Sequence, residues 1–239
     1  MVYRYETHCH SNLCSACAHS RPAELVHAYH NAGYAGLVLT DHFIHGNTAV
    51  STMLPWDVRM RRYYAAYEEA ADTARGLDFD VIFGLEHAYG CGQEILCYGV
   101  DLEFLLDNPQ IPHLSMPQFA QLIHSHGGMV IQAHPYRYGG WEIPILGDVI
   151  DGIEVYNAGN PPKKNIMALE KAHELDCIMT SGGDIHWSGY VGKDRAGIAL
   201  PYRIQNGAEL VSALKARDHH WLIGGQTADK ITEEILNNG

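Results

Sequence analysis

Five short stretches of this chain carry side chains able to hold a metal ion, and each follows a run of apolar residues. They are Thr7-His8-Cys9-His10, Leu39-Thr40-Asp41-His42, Gly84-Leu85-Glu86, Ala133-His134-Pro135 and Gly183-Asp184-Ile185-His186. In extended backbone, side chains two residues apart leave the same face. His8 and His10 can therefore chelate one ion, and Asp184 and His186 can repeat the arrangement. A lone HxH is a weak signal, because histidine pairs are common on surfaces and in cores. Five such stretches, each closing an apolar run, are a strong one. Histidine is also abundant, with 16 residues and no terminal tag to explain them. It is both the commonest metal ligand and a frequent proton carrier.

The elements that must position these groups can be read from the apolar runs. Tyr3 to Thr7, Gly36 to Leu39, Val81 to Phe83, Met129 to Ile131, Ile153 to Tyr156, Cys177 to Met179 and Gly197 to Leu200 are short, apolar and rich in Val and Ile. Such runs read as strands buried on both faces, the pattern of a parallel sheet. Ile95 to Val100 reads as an extra strand, a hairpin partner for the third. Amphipathic stretches alternate with them: Pro22 to Ala32, Trp56 to Arg75, Pro117 to His126, Lys163 to Glu174 and Ala208 to Ala216. Leu25, Ala28, Tyr29 and Ala32 should form the buried face of the first. Alternation of strand and helix implies a parallel α/β architecture, open or closed into a barrel. Parallel strands place their C-terminal ends on one face, where this architecture keeps its active sites, so the five stretches should meet in one mouth.

Composition bounds the rest. The chain has 239 residues, 46% of them hydrophobic and 18% charged, which suits one large folded domain spanning 1–239. Its formal charge is −12. An acidic surface argues against sequence-independent nucleic-acid binding, so duplex nucleic acid is not an expected partner. A phosphorylated small molecule stays compatible, because bound cations can reverse the local sign. Neither an export signal nor a run long enough to span a bilayer is visible, so the expectation is a soluble, cytoplasmic protein without a membrane partner. The six cysteines, at 9, 14, 17, 91, 97 and 177, then read as reduced thiols. Cys14-Ser15-Ala16-Cys17 is a CxxC with no second pair at zinc-ribbon spacing.

The five motifs, in this order and spanning positions 7 to 186, resemble those of the PHP (polymerase and histidinol phosphatase) superfamily. That resemblance implies a distorted (β/α)7 TIM-like barrel of parallel strands, with two or three divalent ions (Mn, Fe or Zn) in its mouth. It implies a metal-dependent phosphoesterase that hydrolyses a small phosphate ester through a metal-bridging hydroxide. By resemblance, His8, His10, Glu86 and Asp184 hold the first ion and Glu86 bridges to a second. His134 binds that second ion, and His42 and His186 belong to a third. The family's usual histidine just before the strand Leu96-Cys97-Tyr98-Gly99 is here Glu94, a carboxylate that would shift preference toward harder ions. The aspartate or histidine usual for the third ion, shortly after HxH, is also missing. Cys14, Ser15, Cys17 and His19 stand there instead.

Two further side chains are candidates for a part in catalysis. Arg137, three residues after His134, could grip a substrate phosphate with its planar guanidinium. Asp41 could orient the neighbouring His42 imidazole. His45 and His87 are close enough in sequence to support the mouth, and His124 and His126 close a helix. His27, His30, His173, His219 and His220 read as exposed, and Arg59, Arg61 and Arg62 as a solvated helix face. Two other functions fit the same residues. One is an amidohydrolase-type C–N hydrolase, which also begins with HxH. Against it, Asp184-x-His186 is not a lone aspartate, and no lysine follows a mid-barrel strand. The other is a non-catalytic metal-binding regulatory module.

Overall fold

The structure is a computed structural model and describes residues 2–90, 92–138, 149–192, 196–230 and 232–238. Ten strands form one curled sheet: β1 (Tyr3–Cys9), β2 (Gly36–Leu39), β3 (Asp80–Ala88), β4 (Glu94–Tyr98), β5 (Met129–Gln132), β6 (Gly152–Asn157), β7 (Ile178–Gly182), β8 (Gly197–Leu200), β9 (His220–Ile223) and β10 (Gln226–Ala228). Their order is β10-β9-β8-β1-β2-β3-β4-β5-β6-β7. Seven helices accompany them: α1 (Pro22–Asn31), α2 (Trp56–Ala74), α3 (Leu102–Asp107), α4 (Met116–Ser125), α5 (Pro162–Leu175), α6 (Gly207–Ala216) and α7 (Glu233–Asn238).

Strand direction departs from the expected (β/α)7 barrel of parallel strands. β1, β2 and β3 pair in parallel, as do β5, β6 and β7. β4 runs antiparallel between the two sets, and β8, β9 and β10 extend the other side by antiparallel pairing. The physical reason is connection length. Hairpins join β3 to β4 and β9 to β10, and a hairpin reverses the chain. β1, β2, β3, β5, β6, β7 and β9 nevertheless point the same way. The curl brings β7 back to β1: His10 N–H donates to Ile185 O at 2.8 Å and Thr7 Oγ1 to Ser181 O at 2.6 Å.

Alternation along the strands separates two cores. Leu37, Leu39, Val81, Phe83, Leu85, Val130, Ile153 and Val155 face a layer made by Leu25, Val26 and Tyr29 of α1, Met60 and Tyr63 of α2, Phe119 and Ile123 of α4 and Leu169 of α5. Val38, Ile82, Leu96, Tyr98, Met129 and Ile131 face the inside of the curl, where Leu210, Val211 and Leu214 of α6 pack against them. Each of these fully buried aliphatic side chains contributes about 2 kcal/mol of burial. Period two then decides what the upper half of each strand offers. Ile82 is inward on β3, so Gly84 and Glu86 are too. Ile153 and Val155 are outward on β6, so Glu154 is inward.

Several sequence expectations change. β3 runs through Glu86 instead of ending before it, because pairing with β4 (Glu86 opposite Leu96, Ala88 opposite Glu94) extends the ladder. On α1, Val26 is buried while Ala28 is only half-buried. Arg59 is 7% exposed, so only Arg61 and Arg62 form the solvated face of α2. His219 is likewise 7% exposed, not a surface residue, with Nε2–H donating to Met179 O at 2.8 Å. Cys9, Cys14, Cys17, Cys97 and Cys177 are free thiols, while Cys91 lies outside the described residues. No helix among the described residues is long and apolar enough to cross a membrane.

Candidate metal centre

The five motifs do meet. Glu86 stands in the middle, fully buried. Its Oε1 lies 2.9 Å from His134 Nε2 and 3.1 Å from His8 Nε2, and its Oε2 lies 2.7 Å from His42 Nδ1 and 3.6 Å from His10 Nε2. Asp184 Oδ1 is 3.1 Å from His10 Nε2, 3.4 Å from His8 Nε2 and 3.6 Å from His186 Nδ1. Glu94 closes the far side at 3.4 Å from both His42 Nδ1 and His134 Nε2. Four sets of ligand-type atoms result: His8–His10–Asp184, His8–Glu86–His134, His42–Glu86–Glu94 and His10–His42–His186. Within each set the atoms lie within 4.8 Å of one another.

A test of fit is whether these atoms are satisfied without an ion. His8 Nε2, His10 Nε2, His42 Nδ1 and Glu86 Oε2 are buried and make no aligned hydrogen bond among the described residues, although they crowd together. Buried polar atoms are ordinarily paired, and an unpaired one is costly. Imidazole and carboxylate atoms converging unpaired on common points are the donor set divalent metals require. The cluster suits divalent metal binding.

Electrostatics point the same way. Burial alone would raise the Glu86 carboxyl, but His8, His134 and His42 hold it well below its usual range. Burial would also raise Asp184, and His8, His10 and Arg137 hold it well below. Burial would lower His8, yet Glu154, Asp184 and Glu86 outweigh it and raise it well above normal. Burial takes His10 down to about 3. Burial and then the charge of Glu86 push Glu94 up to about 7. Carboxylates and imidazoles thus share protons in a crowded space, the state that cations would relieve.

Outer contacts fix the ligands' orientation. Asp41 does not touch the His42 ring as expected. It accepts from Ser11 N–H and Ser11 Oγ at 2.6 Å and from Ser15 Oγ at 2.7 Å. Ser15 Oγ in turn stands 3.1 Å from His10 Nδ1 and accepts the His42 backbone N–H at 2.9 Å. Asp41 therefore reaches His10 through Ser15. Arg137 is placed at the mouth, with Nη2 2.6 Å from Asp184 Oδ2 and 2.8 Å from Asn157 Oδ1, and Nε–H donating to Asn160 Oδ1 at 2.9 Å. It steadies a ligand besides facing the site.

Sequence reasoning missed Glu154 and Glu6. Glu154 Oε1 is 2.9 Å from His8 Nδ1, and its Oε2 accepts the His134 N–H and Asn157 Nδ2–H at 2.9 Å each. Glu6 gathers the N–H groups of Thr7, His8 and Gly183 and the Tyr29 hydroxyl. The inward parity of Glu154 on β6 was the signal available for it. His87 packs on Phe119 at 4.4 Å, away from the ligands, and His45 Nε2 is 3.1 Å from Pro112 O.

No family model matches this sequence, and no curated protein matches it. Solved structures do share its fold. A two-domain protein from Bacteroides vulgatus, containing a predicted PHP-like metal-dependent phosphoesterase, is 14% identical with a TM-score of 0.68 over 93% of this chain and 65% of that one. This chain thus spans a little under two thirds of that protein. An amidohydrolase from Chromobacterium violaceum, with bound sulfate and no metal, is 16% identical with a TM-score of 0.60, covering 92% of this chain and 98% of that one. Endonuclease Q, in complex with a 27-mer duplex carrying an abasic lesion at the active site, is 13% identical with a TM-score of 0.60, covering 90% and 57%. The resemblance to the PHP superfamily is thereby matched at the level of fold. The last likeness also corrects an expectation. Duplex nucleic acid cannot be set aside on net charge, because endonuclease Q, which shares this fold over 57% of its own length, is a protein in complex with a duplex substrate.

Proposed function

We propose that this chain is a metal-dependent phosphoesterase. The observation that carries the reading is the convergence of buried, unpaired ligand atoms of His8, His10, His42 and Glu86, with His134 and Asp184 completing the same groups. The shared fold with a predicted PHP-like phosphoesterase supports it. His8, His10, Glu86 and Asp184 would hold one ion. Glu86, His134 and Glu94 would hold a second, and His42 and His186 a further one. Bound divalent ions would supply Lewis acidity toward phosphoryl oxygens and bring the pKa of water toward neutrality.

The chain's own residues do the positioning. Glu154 fixes the His8 ring so that Nε2 faces the cluster, and Ser15, held by Asp41, does the same for His10. Metal-binding imidazoles depend on such partners for tautomer and aim. Arg137 presents a guanidinium beside Asp184, where N–H groups can grip phosphoryl oxygens and hold the ester in line. The buried walls exclude bulk water, so charge developing on the ester meets fixed donors.

A small phosphate ester is the first substrate class to test, with nucleic-acid phosphodiesters in the same panel. Metal-stripped protein reconstituted with Mn²⁺, Fe²⁺ or Zn²⁺ should release phosphate from at least one phosphomonoester, or cleave a diester such as an abasic duplex. His10→Ala and Asp184→Ala should each lower turnover by about a thousandfold or more, with circular dichroism unchanged. Wild-type rates in either variant would refute the assignment. The amidohydrolase neighbour keeps C–N hydrolysis as a second reading. Turnover of amides in that panel, with none on phosphate esters, would select it.

A further inference from the structure

We infer that Asn157 is a positioning residue that ties Arg137 to the metal ligands, so that the grip on phosphate and the ions keep one geometry. The inference rests on the phosphoesterase reading, with Arg137 as that grip. A regular strand would turn Asn157 away from the site. Glu154 is inward on β6, and residues three apart on a regular strand leave opposite faces. The pairing with β7 breaks that rule. Glu154 stands opposite Thr180 and Tyr156 opposite Ser181, so β6 advances two residues where β7 advances one. Val155 and Tyr156 then both join the outer core, and Asn157 returns to the inside, fully buried. Bulges of this kind re-aim a side chain and are frequent beside active sites. Asn165 of α5 holds the turned backbone: its Oδ1 accepts the Asn157 N–H at 3.2 Å, and its Nδ2–H donates to Asn157 O at 3.1 Å.

A carboxamide is the group this place requires. Asn157 Oδ1 accepts Arg137 Nη2–H at 2.8 Å and the Gly159 N–H at 2.9 Å. Its Nδ2–H donates to Glu154 Oε2 at 2.9 Å and reaches Asp184 Oδ2 at 3.5 Å. Guanidinium and backbone N–H groups only donate, and carboxylates only accept, so an aspartate could serve the first side alone. Gly159 lets the chain pass this close, since a Cβ there would stand 3.1 Å from Asn157 Oδ1 and 3.4 Å from Arg137 Nη2. Arg137 Nη2 also meets Asp184 Oδ2 at 2.6 Å, while Asp184 Oδ1 faces His10 and His8 at 3.1 and 3.4 Å. Asp184 is thereby divided, one oxygen for an ion and one for the arginine. Asn157 keeps that division by holding Arg137 on one side and Glu154, the partner of His8, on the other.

The test uses the full chain and reads two affinities besides turnover. Mn²⁺ affinity is measured by competition with a chromophoric chelator, and inorganic phosphate affinity by calorimetry at saturating Mn²⁺. Asn157→Asp keeps the size and the acceptor for Arg137 but loses the N–H toward Glu154, and should weaken Mn²⁺ binding by about tenfold. Asn157→Ala should also weaken phosphate binding by about tenfold, and this second loss should vanish in an Arg137→Ala background. The isosteric Asn157→Asp carries the metal arm of the test even where Asn157→Ala fails to fold. Unchanged phosphate affinity in Asn157→Ala, or the same loss with Arg137 already removed, overturns the link to Arg137. Unchanged Mn²⁺ affinity in Asn157→Asp overturns the link to the ligands. Either result leaves the metal centre standing, whereas a wild type that takes up neither Mn²⁺ nor phosphate overturns the phosphoesterase reading itself.

Discussion

Glu154 reaches the cluster through His8, whose Nδ1 it meets at 2.9 Å, so its effect on an ion is indirect and separable. A carboxylate behind a ligating imidazole makes the other nitrogen a better donor and fixes its direction. Glu154→Gln should therefore weaken metal binding by about 10- to 100-fold, read by competition with a chromophoric chelator. Unchanged affinity would mean that Glu154 serves only to hold the His134 backbone and the Asn157 side chain. The residue also marks where sequence reading stopped. The motif ligands were legible because each follows a strand and is of ligand type. Glu154 lies inside a strand, and its role depends on β6 being in register with β7 and within reach of β1. Asp41 was found from its place beside His42, but Ser15, which connects it to His10, lies in a loop whose path no periodicity encodes.

Two strand ends hold their ligands in backbone conformations that L residues rarely adopt, with φ of 23° at His134 and 52° at Asp184. Such positions cost on the order of 1–3 kcal/mol each, and the surrounding packing must offset them. Gly182, at the end of β7, shows how tight that packing is. A Cβ there would stand 2.4 Å from Glu154 Oε1 and 2.6 Å from His8 Cβ. Gly182→Ala should lower stability by about 1–3 kcal/mol and reduce metal affinity as well, measured by urea denaturation with chelator and by metal titration. Next to β9, burial lowers His219 from its usual value, so its folded form prefers to stay neutral. Its Nδ1 is buried with no hydrogen-bond partner among the described residues. As pH falls below the ordinary histidine value of about 6.5, the unfolded chain takes up the proton first, and stability drops by up to about 1.4 kcal/mol per unit. Urea midpoints at pH 7.5 and 5.5 should converge in His219→Gln relative to the wild type. An identical pH slope in both would count against the argument. Strands β1 to β7 were legible as apolar runs, whereas β9 and β10 were not. β10 is short and polar, with Gln226 and Thr227 open to solvent, while the apolar Trp221-Leu222-Ile223 of β9 is too short a run to stand out from the helix and loop around it.

At the scale of the whole molecule, the convergence of strand ends was legible, whereas the expected (β/α)7 barrel of parallel strands gives way to a curled ten-stranded sheet with reversed strands. Runs of Val and Ile report burial on two faces but not direction. β4, β8 and β10 reverse because of the connections that deliver them, a property of the path and not of composition. What survives the reversals is the common direction of the strands that lead to His8, Glu86, His134 and Asp184, which places those groups at one mouth, while Glu94 reaches it from the N-terminal end of the reversed β4. Glu86, Asp184, His8 and His10 come from β1, β3 and the segment after β7, elements far apart in the chain. An ion bound to all of them links those elements in the folded state alone, since the unfolded chain has no preformed site. Binding only to the folded state stabilises by about 4 kcal/mol when free ion is a thousand times the dissociation constant. For a chain of this length each kcal/mol moves the melting temperature by about 2–4 °C. Chelation should then lower Tm by roughly 8–16 °C, with recovery on adding the ion back. His8→Ala, which removes one corner of the cluster, should melt near the chelated wild type and respond little to metal. Equal Tm with and without chelator in the wild type would mean that the mouth holds no structural share in any ion, and that the crowded acids and imidazoles balance one another unaided.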